Sequence, residues 1–126
     1  MALNFYKCMH CGNVAVKLVD AGVPMMCCGE KMTLLEANTT DAATEKHVPV
    51  VSVEGNIVNV VVGEVAHPMT EEHLIALIVL ETNEGFVAKA LTAADEPKAT
   101  FALAEGQQAV AVYEYCNLHG LWKAEL

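Results

Sequence analysis

The chain has 126 residues, 54% of them hydrophobic, and a formal net charge of −9, enough for one ordinary core or for one modest domain beside a very small one. Its seven basic residues are all lysines, set against 16 acidic ones. That balance argues against nucleic acid, whose phosphates call for a surface rich in Lys and Arg; it also means that anion chemistry needs a local positive focus.

The N-terminal stretch Met1-Ala2-Leu3-Asn4-Phe5-Tyr6-Lys7 has no basic segment followed by an apolar one, so no signal peptide is expected and a cytoplasmic location follows by default. Tyr6-Lys7-Cys8-Met9-His10-Cys11-Gly12-Asn13 reads as a metal knuckle, with Gly12 free to take the positive φ that turns backbone amides toward the thiolates. Val14 to Val19 reads as a strand and Asp20-Ala21-Gly22 as a turn, after which Pro24-Met25-Met26-Cys27-Cys28-Gly29 brings a second cysteine pair. Residues 1–36 are too few to bury a sufficient core, so a metal held by Cys8, Cys11, Cys27 and Cys28 is the expected staple. The quartet alone fits a structural zinc as well as an Fe(Cys)4 centre. His10, between two of these cysteines, reads as a surface residue.

Leu34 to Thr44 is a polar, turn-rich linker through Asn38-Thr39-Thr40-Asp41. Strand signals dominate beyond it. Val48 to Val53 and Ile57 to Val62 flank the two-residue hairpin signal Gly55-Asn56, and Leu74 to Glu81 and Phe86 to Leu91 flank Thr82-Asn83-Glu84-Gly85. Thr100 to Leu103, Ala109 to Tyr115 and Leu121 to Ala124 complete about seven strands, the pattern of an immunoglobulin-like antiparallel sandwich or barrel over residues 37–126. The longest apolar run, Leu74 to Leu80, is far short of the roughly 20 residues that span a bilayer, so no membrane association is expected.

Four histidines and the fifth cysteine are scattered through this second part. His47 follows Glu45-Lys46, His67 precedes Pro68, His73 precedes an apolar strand, and Cys116-Asn117-Leu118-His119 follows one. Each histidine by itself reads equally as a surface or core residue. All sit at turns or strand ends, however, and a β-fold can gather such positions. Four imidazoles and one thiolate suit an iron that keeps one position free for redox chemistry on a small molecule. An electron carrier built on the four-cysteine centre and a zinc-binding interaction module are the alternatives.

Taken together, Tyr6-Lys7-Cys8-x-x-Cys11-Gly12-Asn13, Cys27-Cys28-Gly29, Glu45-Lys46-His47-Val48-Pro49-Val50, His67-Pro68-Met69, His73 within Glu72-x-x-Ile75, and Tyr115-Cys116-Asn117-Leu118-His119-Gly120-Leu121-Trp122-Lys123 closely resemble desulfoferrodoxin, the two-iron superoxide reductase of anaerobic microbes. The resemblance spans essentially the whole chain, in order and with matching spacing. It implies a desulforedoxin-like domain over residues 1–36 with an Fe(Cys)4 centre on Cys8, Cys11, Cys27 and Cys28. It further implies a catalytic domain over residues 37–126 with an Fe(His)4(Cys) centre, His47, His67, His73 and His119 equatorial and Cys116 axial. Superoxide would be the substrate and hydrogen peroxide the product. Lys46 would draw in superoxide and order a proton-donating water; Glu45 would fill the sixth position of the oxidised iron. A homodimer and a rubredoxin-like electron donor are implied as well.

Overall fold

Short strands broken by turns in the first part, and long alternating strands in the second, give this chain two different kinds of β structure. The computed structural model describes residues 3–40, 42 and 44–126. Met1 and Ala2 of the N-terminal stretch and Asp41 and Ala43 of the linker lie outside the described residues. The chain divides into two units, Met1–Glu36 and Ala37–Leu126.

Among the described residues of the first unit no strand exceeds three residues. β1 (Phe5–Lys7) lies between β2 (Val14–Val16) and, antiparallel on its other side, β5 (Thr33–Leu34), while β3 (Met26–Cys27) pairs with β4 (Glu30–Lys31). The strand expected over Val14 to Val19 ends at Val16. Lys17 terminates it by bonding through Nζ to Asp20 Oδ1 at 3.2 Å and to the Val23 carbonyl at 2.8 Å, which folds the chain back on itself.

Ahead of its strands the second unit carries the one-turn helix α1 (Thr44–His47), where the sequence suggested the last linker residue followed by a turn or strand end. Seven strands follow among its described residues: β6 (Pro49–Glu54), β7 (Ile57–Val62), β8 (Ile75–Thr82), β9 (Gly85–Ala90), β10 (Lys98–Ala102), β11 (Ala109–Cys116) and β12 (Gly120–Glu125). They form two antiparallel sheets, β10-β7-β6 and β12-β11-β8-β9, the immunoglobulin-like sandwich that the alternation predicts. The Gly55-Asn56 hairpin closes on Glu54 paired with Ile57, and the second hairpin on Thr82 paired with Gly85.

Alternation decides what is buried. Val58, Val60 and Val62 of β7, Ile78 and Leu80 of β8, Ala99 and Phe101 of β10, and Val112 and Cys116 of β11 share one core. Ile75 joins them although its spacing from Ile78 is odd. The pairing of β11 with β8 slips between Tyr115–Leu77 and Cys116–Ile75, and that bulge adds one residue to β8 and turns Ile75 inward. Because every pairing is antiparallel, the start of β6, the end of β7, the start of β8, the end of β11 and the start of β12 meet at one end of the sandwich.

A turn after β7 holds α1 there. Gly63 N–H donates to the Val48 carbonyl at 3.2 Å and Val65 N–H to the Glu45 carbonyl at 2.9 Å. Gly63 has φ +81, and a Cβ at this position would lie 2.6 Å from the Lys46 carbonyl oxygen and 2.7 Å from that of Val65. Both are backbone atoms, so no side-chain rotation relieves the clash. Gly63→Ala is therefore expected to cost about 2 kcal/mol or more. Gly106→Ala has φ +84 but open space around the new Cβ, and should cost only about 1 kcal/mol. Urea unfolding of the two variants beside the wild type measures the difference; equal losses would mean that the close approach at Gly63 contributes nothing beyond its backbone angle.

Candidate metal centres

The first cluster is made by two tight turns. In the knuckle, Gly12 takes φ +86 and its N–H donates to the Cys8 carbonyl at 2.9 Å. The second pair, Cys27-Cys28, sits on a two-residue hairpin loop in which Cys28 and Gly29 have φ +52 and +76. Positive φ at both loop positions is the signature of a type I′ turn, and it lets two adjacent cysteines face one point. Cys11 and Cys27 sulfurs are 3.6 Å apart, Cys27 and Cys28 sulfurs 4.0 Å, and all four lie within 4.8 Å of one another. A tetrahedral thiolate site with metal–sulfur bonds of about 2.3 Å needs sulfurs about 3.8 Å apart.

The electrostatics agree with this geometry. Backbone amides of Cys11 and His10 pull the Cys8 thiol down to about 6, whereas the crowding of Cys28 by the Cys11 and Cys8 sulfurs pushes it up to about 12. Four thiols so close together cannot all ionise without a cation. His10 is exposed and stands outside the cluster.

The second cluster lies at the end of the sandwich where five strand termini meet. His47 closes α1, His67 follows the turn after β7, His73 precedes β8, Cys116 ends β11, and His119 lies in the three-residue loop between Cys116 and Gly120. Their donor atoms are all within 4.8 Å of one another. The rings follow one another in a closed circuit, each edge-on to the next: His47–His67 at 77°, His67–His73 at 78°, His73–His119 at 79° and His119–His47 at 89°, with centroids 4.6 to 5.0 Å apart. Cys116 Sγ lies 3.5 Å from His67 Nε2 and 3.8 Å from His119 Nδ1. Four imidazoles thus form a square with the sulfur against two of its corners.

Several observations fit a cation in this square. His67 Nδ1–H donates to the Pro68 carbonyl at 2.7 Å, which leaves Nε2 as a lone pair facing inward. His47 Nε2 lies 3.3 Å from His67 Nε2 and 3.1 Å from His119 Nδ1, close to the separation of about 3.0 Å that adjacent ligands with bonds of about 2.1 Å require. His73 Nε2 is buried with no hydrogen-bond partner among the described residues. Burial lowers His67 to about 4 and, with neighbouring charges including Lys46, also lowers His73, so both rings are neutral donors at neutral pH. Burial raises the Cys116 thiol, with the N–H groups of Leu118 and His119 pulling the other way; a metal ion supplies the charge that holds its thiolate.

Glu45 and Lys46 stand differently. Both are exposed on α1, and neither contributes to the five-atom cluster. Glu45 lines an open cavity of about 480 Å³ with Thr44, Val48, Pro49, Val50 and Glu64. Lys46 is near enough to His73 for its charge to be felt there.

Residue spacing gave no warning of the supports around the ligands. Asn117 accepts from Leu74 N–H at 2.9 Å and donates to the Glu72 carbonyl at 3.0 Å, which brackets His73. Thr70 bonds the His73 backbone from the other side. Glu114, on the strand that ends in Cys116, is fully buried with neither carboxyl oxygen bonded among the described residues, and burial pushes it up to about 9. An acidic residue inside a run of buried strand positions carries no sequence signal that separates it from an exposed one.

Comparison with known proteins agrees with both clusters. The desulfoferrodoxin family profile matches residues 39–125 and the profile of the desulfoferrodoxin N-terminal domain matches residues 2–35. The desulfoferrodoxin of Nitratidesulfovibrio vulgaris is 47% identical over 97% of this chain and 95% of its own length. The crystal structure of the superoxide reductase from Treponema pallidum superposes with a TM-score of 0.84 at 41% identity, covering 99% of this chain and all of that one. The one-iron superoxide reductase from Giardia intestinalis superposes with a TM-score of 0.54 at 36% identity, over 65% of this chain and 99% of that one.

The two clusters share no residue. Cys28→Ser should therefore reduce bound iron from two ions per chain to one, abolishing the absorption of the four-cysteine centre and leaving that of the histidine–cysteine centre in place. Iron analysis with a visible spectrum measures both. Loss of both ions from a folded variant would show that the sites depend on one another.

Proposed function

This chain belongs to the desulfoferrodoxin family, and on that premise we propose that it is a superoxide reductase in which residues 1–36 carry the Fe(Cys)4 centre and residues 37–126 the catalytic Fe(His)4(Cys) centre. The observation that carries the reading is the square of His47, His67, His73 and His119 with Cys116 beside it. A ferrous iron held by these five residues would supply the one electron that, with two protons, turns superoxide into hydrogen peroxide without forming dioxygen.

The chain's own residues set the conditions for that step. Four neutral imidazoles and a single thiolate leave a ferrous site with a net charge of about +1, which attracts an anion. Cys116 brings its negative charge from the fully buried side, where it favours electron donation. Lys46 is the positive focus in an acidic protein: it is the only basic residue between Lys31 and Lys89, and its exposure beside His47 suits it to steer superoxide inward and to order a water that donates a proton. Glu45, two residues from His47 on a single helical turn, is assigned to cover the open face in the oxidised protein and to move away on reduction.

The reading extends to a homodimer that draws its electron from a rubredoxin-like donor. Family membership supports it, and so do the exposed apolar side chains of the first unit, Leu18, Val19, Val23 and Met26. No helix among the described residues is long and apolar enough to cross a membrane. Five free cysteines suit a reducing compartment, and we place the protein in the cytoplasm.

Pulse radiolysis of the reduced protein, with dioxygen monitored, tests the reaction. Superoxide should disappear with one peroxide formed per electron and no oxygen evolved; evolved oxygen would indicate dismutation instead. Cys116→Ser should remove the thiolate-to-iron charge-transfer band and nearly all turnover, and normal turnover with iron retained would exclude the thiolate from the reaction.

Lys46 has a separate test. Lys46→Ala should lower the second-order rate constant about tenfold or more, and Lys46→Glu further. Salt screens charges over about 10 Å at 0.1 M; it should slow the wild type and should speed, or leave unchanged, Lys46→Glu. Identical rates and salt slopes in all three proteins would leave Lys46 an ordinary surface lysine.

A further inference from the structure

The single tryptophan of the chain touches two of the four imidazole ligands by different means. Trp122 is 3% exposed on β12. Its ring stacks on that of His47, with centroids 5.0 Å apart and planes at 24°. Its Nε1–H donates to the His119 carbonyl at 3.0 Å. His47 and His119 are adjacent corners of the square, edge-on to each other at 89° with donor atoms 3.1 Å apart. One rigid indole therefore fixes the plane of one ligand ring and the backbone position of the next.

The strand that carries Trp122 is itself clipped in place. β12 is an edge strand, with free backbone groups on its outer side. Asn38 occupies that side. Its N–H donates to the Leu121 carbonyl at 3.0 Å, its Oδ1 accepts from Lys123 N–H at 2.8 Å, and its Nδ2 donates to the Lys123 carbonyl at 3.1 Å. These bonds bracket Trp122 on both sides. Asn38 has φ +63, a left-handed conformation that asparagine tolerates better than most residues.

We infer that Trp122, seated by Asn38, is a positioning residue for the histidine–cysteine centre, setting the angle between His47 and His119 and so the affinity and symmetry of the site for iron. The inference rests on the reading of this cluster as a metal centre, but its test measures metal binding and not turnover, so a failure of either can be told from the other. Supports of this kind around metal ligands typically change metal affinity about 10–100-fold when removed.

The decisive variant is Trp122→Phe, which keeps a ring to stack on His47 and removes the N–H that holds His119. Competition with a ferrous chelator gives the affinity for iron, followed through the visible band of the histidine–cysteine centre, and EPR of the oxidised protein reports the symmetry of the site. Trp122→Phe should weaken iron about tenfold and alter the ferric EPR line shape; Trp122→Leu, which also loses the stack, should weaken it toward 100-fold. Asn38→Ala should shift the EPR in the same sense by a smaller amount, although Asn38 touches no ligand. In the wild type, iron binding should quench the fluorescence of Trp122. If Trp122→Phe has the wild-type affinity and EPR, the inference is overturned whatever Trp122→Leu does. A lowered melting temperature with both readouts unchanged would make Trp122 a packing residue only, and would overturn it equally.

Discussion

Five side-chain donor atoms converge within 4.8 Å of one another at one end of the sandwich, and a single cation among them would engage all five at once. His47 Nε2 faces His67 Nε2 at 3.3 Å and His119 Nδ1 at 3.1 Å, with the Cys116 sulfur 3.5 Å from His67. Protons can relieve some of these contacts, but His67 has already committed its Nδ1 proton to the Pro68 carbonyl, and the buried His73 Nε2 has no partner among the described residues. Among the described residues the orphaned His73 Nε2 is the clearest mark of a missing partner, since a buried polar atom left without one is costly. An iron held by these five residues would supply that partner and couple the site's stability to metal binding.

The sandwich accommodates this by keeping its core and its site apart along the same strands. Val112 and Cys116 lie on the same face of β11 and in the same apolar core, yet only the last residue of the strand reaches the donors. The bulge between β8 and β11 sits next to that point, where it turns Ile75 inward under the ligands and frees His73 to leave the ladder. The three-residue loop from Cys116 to Gly120 then returns His119 to the same place. Rigidity comes from the sheets, and the freedom to aim side chains comes from where the sheets stop.

The first unit solves a similar problem with far less material. Its strands are two or three residues long, and its four-cysteine cluster depends on backbone conformations that are uncommon away from turns: Gly12 at φ +86, Cys28 at +52 and Gly29 at +76. Cys28 bears the cost of a left-handed conformation at a non-glycine residue, about 1–2 kcal/mol. A bound metal would offset it; the amides of Cys11 and His10 hold the Cys8 thiol down to about 6 while the adjacent Cys11 and Cys8 thiols push Cys28 up to about 12, so the four sulfurs ionise very unequally.

The amino-acid sequence by itself determined the class of this protein: alternating runs with hairpin turns at Gly55-Asn56 and at Asn83-Glu84 specify antiparallel strands, and paired cysteines in a short segment specify a metal staple. Those signals are local, and local signals survive in a linear reading. It also supplied His47, His67, His73, Cys116 and His119 as candidates, through their positions at strand ends and through family resemblance. What it could not contain was the arrangement. The square of rings, the Nδ1 donor of His119 beside the Nε2 donors of His47 and His67, and the bulge at Ile75 arise from contacts between residues far apart in the chain. Asn38 and Trp122 show the limit most clearly. One reads as linker and the other as a strand residue within the Tyr115 to Lys123 motif with no role of its own, and only the edge of β12, where the fold places them together, gives either a bearing on the metal. Side-chain identity fixes which atoms are available, whereas the long-range pairing of strands decides which of them meet.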